Sequence, residues 1–192
     1  MPQSHYHLLI DIGNTFVKWG RYRAGAPGAA AGNCLDSGHL LLAEIPELAA
    51  GWRRLRAPAR IVISNVAGTR VRASMLRCLE VWPDAPAPQW LVSAAEQCGV
   101  KNGYRNPAQL GSDRWAAMIG ARALVDGRPV LVVVCGTATT IDFVNAAGLF
   151  SGGVILPGVG LMIRSLHEGT AALRTRLGNA VRIGEHEQAA RM

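Results

Sequence analysis

The stretch His7-Leu8-Leu9-Ile10-Asp11-Ile12-Gly13-Asn14-Thr15-Phe16-Val17-Lys18 decides how the chain is read. A short apolar run ends in a carboxylate, a glycine and two small polar residues, the pattern of a strand passing into a tight turn. Phe16 to Arg23 then alternates apolar and polar residues, as the return strand of a hairpin does. Further along, Pro129 to Cys135 is the most apolar strand of the sequence. It enters a second small-residue turn, Gly136-Thr137-Ala138-Thr139-Thr140, after which Ile141 to Asn145 continues extended. The two turns fall in equivalent places, each after a buried strand, so the chain reads as a duplicated α/β unit.

Working outward from the first turn, Gly25 to Gly32 is a loop, Leu35 to Leu42 a third strand and Arg60 to Val66 a buried strand. Pro46 to Leu55 has helical spacing, with Leu48, Trp52 and Leu55 on one face. Val71 to Leu79 is a second helix, and three prolines keep Pro83 to Pro88 irregular. Trp90 to Ser93 resumes as a strand. Around the second turn, Ser112 is the expected N-cap of a helix running to about Val125. Gly148 to Leu156 is a hairpin partner, and Val159 to Leu173 is helical. No repeat of solenoid length is present.

The 192 residues are 49% hydrophobic and 17% charged, enough for a packed core and against disorder of the whole chain. No apolar run approaches the ~20 residues of a membrane span. The polar start, Met1 to His7, does not read as a signal peptide, so a cytoplasmic protein is expected. The net charge of +7 raises nucleic acid as a partner. However, the cations are scattered arginines, with one tight cluster at Arg53, Arg54 and Arg56 on a helix that reads as a solvated face. Nucleic acid is therefore not expected. Cys34, Cys78, Cys98 and Cys135 contain no C-x-x-C pair and read as reduced, packed residues. His5 and His7 are expected to be solvated. The five tryptophans are too spread for a base-stacking platform and read as core or interface anchors.

A phosphate tail needs close approach by backbone N–H groups, short hydroxyls and a metal-holding carboxylate. The first turn offers Gly13, Thr15 and Asp11, with Lys18 as a cation for phosphate oxygens. The second offers Thr137, Thr139 and Thr140, with Asp142 following. A lone D-x-G-N-T is equally the pattern of an Asx-turned hairpin. Likewise, Asp113-Arg114 alone can be a first-turn acid beside a surface cation. Neither turn is a Walker A loop, and no G-x-G-x-x-G occurs.

Four runs occur together in order: Asp11 to Thr15, Gly111-Ser112-Asp113-Arg114, Gly136 to Asp142, and Ser151 to Gly158. In this the chain resembles type III pantothenate kinases, of the acetate and sugar kinase/Hsp70/actin superfamily, over residue 7 to about residue 173. The resemblance implies an α/β fold of two ribonuclease-H-like (actin-like ATPase) domains facing a nucleotide cleft. These would be residues 1–108 and 109–192, in a homodimer. It implies ATP-dependent phosphorylation of pantothenate, the first step of coenzyme A synthesis, with Mg²⁺. Asp11, Ile12, Gly13, Asn14, Thr15, Phe16, Val17 and Lys18 match the ATP segment, and Thr137 a second ATP contact. Asp11 can hold Mg²⁺, directly or through water. Asp113 matches the proton acceptor, while Tyr104, Gly111, Ser112, Asp113 and Arg114 match the pantothenate contacts. A helix N-terminus and Arg114 are expected to favour the ionised form of Asp113. Arg114 can alternatively grip the substrate carboxylate.

Two features depart from the family. The aspartate that precedes the second turn in many members, a ligand for K⁺ or NH₄⁺, is Val134 here, and a valine cannot ligate a cation. The chain also reads as C-terminally truncated, or the product of a frameshifted gene: the later substrate-contacting threonine has no match, and the tail Arg174 to Met192 does not follow the pattern. An incomplete second domain is expected to expose apolar surface. Two other readings stand beside the kinase. One is a non-catalytic nucleotide-binding relative or accessory transcription regulator, and the other a kinase or phosphatase of the same superfamily with another substrate.

Overall fold

The computed structural model describes residues 6–24 and 34–169. His5, the Gly25 to Gly32 loop, and the tail from residue 170, including the end of the expected last helix, lie outside the described residues. In chain order the strands are β1 (Tyr6–Ile12), β2 (Phe16–Arg23), β3 (Cys34–Leu41), β4 (Arg60–Asn65), β5 (Gln89–Trp90), β6 (Glu96–Gln97), β7 (Val100–Asn102), β8 (Val130–Cys135), β9 (Ala138–Val144) and β10 (Leu149–Pro157). The helices are α1 (Ile45–Trp52), α2 (Gly68–Leu79), α3 (Ser112–Leu124) and α4 (Val159–Gly169). The chain forms two compact units: residues 1–132 with 141–154, and residues 133–140 with 155–192.

In the first unit a five-stranded sheet has the order β3-β2-β1-β4-β5. β1 runs antiparallel to β2 and parallel to β4, and β3 is antiparallel to β2. An antiparallel meander followed by parallel strands is the ribonuclease-H-like arrangement. Period-2 alternation explains the burial. Tyr6, Leu8, Ile10 and Ile12 of β1 and Ile61 and Ile63 of β4 are buried on one face. Helix α1 begins with Pro46 in its first turn, where a missing N–H is harmless. It buries Ile45, Leu48 and Trp52 against that face and packs on α2, which buries Met75, Cys78 and Leu79. The Trp52 ring meets Trp19 edge-on at 5.9 Å and stacks on Trp82 at 5.4 Å. Each fully buried aliphatic side chain here contributes about 1.5–3 kcal/mol. A second core in the same unit gathers Val100, Leu110, Trp115, Met118, Val144 and Phe150.

The other sheet has the order β6-β7-β10-β9-β8. Several expectations change here. The strand expected at Trp90 to Ser93 is cut to Gln89–Trp90, and the buried Ser93 hydroxyl beyond it donates to the Leu110 carbonyl at 2.8 Å. The short strands β6 and β7 have no signal in the sequence. The apolar β8 is an edge strand among the described residues, and Leu131, Val133 and Val134 are exposed rather than buried. Val154, Ile155 and Leu156 of β10 are exposed too. Cys34, Cys98 and Cys135 are exposed, so only Cys78 is packed as a core residue. His7 is half-buried with Nδ1 shut from solvent, since it lies inside β1 between paired strands. The arginines of the Arg53, Arg54 and Arg56 cluster are exposed as expected, but they lie beyond the end of α1 at Trp52 rather than on a helix.

Candidate active site

Asp11 sits one residue before the end of β1, on the sheet face opposite Ile10 and Ile12. Strand pairing places Lys18 of β2 across from it on one side and Ser64 of β4 beside it on the other. Burial raises the pKa of the Asp11 carboxyl above its ordinary value; a hydrogen bond from the Ser64 hydroxyl opposes this, the negative charge of Asp113 adds to it, and Lys18 opposes it. Asp11 Oδ1 is shielded from solvent and has no hydrogen-bond partner among the described residues. The turn that follows is closed by Gly13 N–H donating to the Phe16 carbonyl at 3.0 Å. Ile12 and Val17 are fully buried, so only their backbone can serve a ligand, whereas Asn14, Phe16 and Lys18 are exposed.

The run Gly111 to Arg114 opens α3. Gly111, not Ser112, is the N-cap, and it offers no side-chain cap. Ser112 is already helical and buried, and its hydroxyl lies 3.1 Å from Ser64 Oγ. Helix α3 packs on β4, which brings Asp113 near enough to Asp11 for their charges to interact. Asp113 Oδ1 accepts from the Arg114 backbone N–H at 2.8 Å, a first-turn contact at the positive end of the helix.

The Arg114 guanidinium is not turned to Asp113. It forms a buried ion pair with Asp142 of β9, donating from Nε at 3.2 and 3.1 Å and also from Nη2. Its pKa is raised chiefly by this hydrogen bond to Asp142, against the cost of burial, with a further contribution from Tyr104. Tyr104 packs on Phe150, and Phe150 in turn lies under the guanidinium at 5.6 Å. Gly153 is required beside this pair, since a Cβ there would run into Asp142 and the Ile141 carbonyl. Asp142, expected near the second turn's phosphate donors, is thus an internal counter-ion.

The second compact unit holds the other small-residue turn. Gly158 N–H donates to the Thr137 carbonyl at 2.9 Å, and a Cβ at 158 would collide with the Gly136 carbonyl oxygen. This close approach explains Pro157-Gly158 ahead of α4. Thr137 is exposed, Thr139 half-buried, and Thr140 is buried with an unsatisfied hydroxyl. Val134, at the position of the family's cation ligand, presents only hydrocarbon. Among the described residues no cluster of three or more metal-ligating side chains occurs.

A family model for type III pantothenate kinase matches residues 7–188. The chain belongs to the type III pantothenate kinase family. A relative of that name from Paracidovorax citrulli (strain AAC00-1) is 46% identical over 176 residues, covering 89% of this chain and 67% of its own length. One from Methylibium petroleiphilum is 47% identical over 177 residues, covering 89% of this chain and 68% of its own length. The chain thus spans about two thirds of the length of these relatives. Among solved structures, the ethanolamine utilization protein EutJ from Carboxydothermus hydrogenoformans is similar at 14% identity and a TM-score of 0.47, over 85% of this chain and 56% of that one. For a kinase family a divalent metal is expected, and the unpartnered Asp11 Oδ1 is chemically suited to one. No helix of the described residues is long and apolar enough to cross a membrane.

Reading the sequence missed Ser64 and the role of Asp142. Ser64 lies at the carboxyl end of a parallel strand beside β1, and ligands of open α/β sheets gather at such ends. That position was the available signal. Asp142 carried none, because its partner is 28 residues away.

Proposed function

We propose that the protein transfers the γ-phosphoryl group of ATP to pantothenate, the first step of coenzyme A biosynthesis. The observation that carries this reading is that the end of β1 bearing Asp11 and the start of α3 bearing Asp113 meet within one compact unit, through Ser64, which is in register with Asp11 and 3.1 Å from Ser112. Family membership supplies the substrates that two such groups serve: curated relatives are named type III pantothenate kinase.

In this reading Asp11 to Lys18 and Thr137 contact ATP. Exposed turn amides and Lys18 hold phosphate oxygens, while Ile12 and Val17 contribute backbone alone. Asp11 holds Mg²⁺ directly or through water, and the bound metal offsets charge on the phosphate oxygens. Asp113 accepts the proton of the attacking primary hydroxyl, a role that needs a carboxylate within hydrogen-bond reach. Tyr104, Gly111, Ser112 and Arg114 contact pantothenate, Arg114 through N–H donors that Asp142 leaves over. Val134 offers no ligand to K⁺ or NH₄⁺, so turnover should not depend on a monovalent cation bound there. The protein acts in the cytoplasm as a homodimer, for which exposed side chains such as Ile155, Leu161 and Met162 offer apolar surface.

The test is ADP release with ATP, Mg²⁺ and pantothenate, with Asp113→Asn alongside. Pantothenate-dependent release that falls by about 10²-fold or more in the variant is expected. Release that is absent, or unchanged by the substitution, sinks the reading.

A further inference from the structure

We infer that Ser64 is a positioning residue, which stands in register beside Asp11 at the end of β1 and meets the first residue of α3, and so sets the spacing between Asp11 and Asp113. This inference rests on the roles given above to those two carboxylates. The arrangement is built from three buried or half-buried groups on three elements. Ser64 pairs in register with Asp11 across the parallel β1–β4 ladder, so both side chains leave the same face of the sheet. On that face α3 packs over β4, and Ser112 Oγ approaches Ser64 Oγ to 3.1 Å. Ser64 is 6% exposed and Ser112 9%, so water competes little for either hydroxyl.

The proton count gives the chain a direction. An ionised carboxylate only accepts, whereas each serine hydroxyl has one proton to give. Ser64, in register beside the Asp11 carboxylate, is placed to give its proton there. With that proton turned to Asp11, the Ser112 hydroxyl is the donor in the 3.1 Å contact between the two serines. A bond to an ionised acceptor is stronger than one between neutral groups, and such bonds in series polarise one another. Removing Ser64 breaks both links at once and frees the start of α3, where Asp113 sits one residue on. Small displacements of reacting groups are costly: about 1 Å can lose 10²-fold in rate. The core beneath does not need the hydroxyl, because Ser64 points away from Ile61 and Ile63.

The test compares Ser64→Ala and Ser64→Thr with the wild-type chain, by calorimetric titration with Mg·ATP and by steady-state kinetics. Ser64→Ala is expected to weaken Mg·ATP binding by about tenfold, the loss of one hydrogen bond to a charged group. It should also lower kcat, with KM for pantothenate moved less. Ser64→Thr keeps the hydroxyl and is expected to restore most of both. Ser64→Ala should still unfold in one cooperative transition, with a melting temperature lower by only a few °C, the cost of one unpaired buried hydroxyl, which separates positioning from general unfolding. A Ser64→Ala chain that binds Mg·ATP within twofold of wild type overturns the inference, as does a Ser64→Thr chain no better than Ser64→Ala. If the wild type binds Mg·ATP but never phosphorylates pantothenate, the functional reading fails while the binding arm still decides Ser64. If the wild type binds no nucleotide, both fall.

Discussion

Arg114 and Asp142 form an ion pair shut away from solvent, with Arg114 7% and Asp142 0% exposed. The pair joins the first turn of α3 to β9 within one compact unit, so the helix that carries Asp113 is anchored by a charge it cannot afford to lose. Pairs of this kind add little over a well-packed apolar equivalent, but removing one partner strands the other.

Asp142→Ala should therefore destabilise the chain by about 3–5 kcal/mol, measured by urea unfolding, since it leaves an arginine buried without a counter-ion. The double substitution Arg114→Met with Asp142→Leu should lose less than Asp142→Ala alone. Arg114→Lys should not rescue stability, because an ammonium cannot reproduce donation from both Nε and Nη2. Equal stability of Asp142→Ala and wild type would remove the ion pair from the account.

Asp11 carries the opposite balance. Its carboxyl pKa is raised in the folded chain, above all by burial. The sign follows from linkage: a raised folded pKa means stability that is present below the unfolded carboxyl value and is lost as pH rises through the folded one. At neutral pH an ionised Asp11 thus costs stability. Asp11→Asn should melt higher than wild type near pH 7, by roughly 2–4 °C for each ~1 kcal/mol relieved. The gain should vanish below about pH 4, where the wild-type carboxyl is itself neutral. The same variant should lose Mg·ATP binding. A variant that melts lower at pH 7 would contradict this.

The thiols divide by burial. Cys78 is held in the α1–α2 core, and burial pushes its pKa up to about 11. Cys34, Cys98 and Cys135 are exposed. Because the thiolate is the reactive form, a thiol-specific chromogen at about pH 8 should label the exposed three promptly and Cys78 only after denaturation. Prompt labelling of all four in the folded chain would place Cys78 outside the core.

The sequence alone determined the local features. Alternation marked β1, β2 and β4, proline and glycine marked the breaks, and Asp11 to Lys18, Gly111 to Arg114 and Gly136 to Asp142 carried the family. These are properties of neighbours along the chain, where side-chain period and turn chemistry act directly. The tertiary structure decided which distant groups meet. Ser112, read as a helix cap, turned out to be a buried partner of Ser64. Arg114 faces Asp142 and Tyr104 rather than standing beside Asp113 as a free cation. Cys135 and half of β8 are exposed because an edge strand has cover only where another element supplies it. An apolar run records that a face prefers burial, and a buried charge that it needs a counter-ion. Which element provides either depends on how strands order and helices pack, and no local window of sequence contains that.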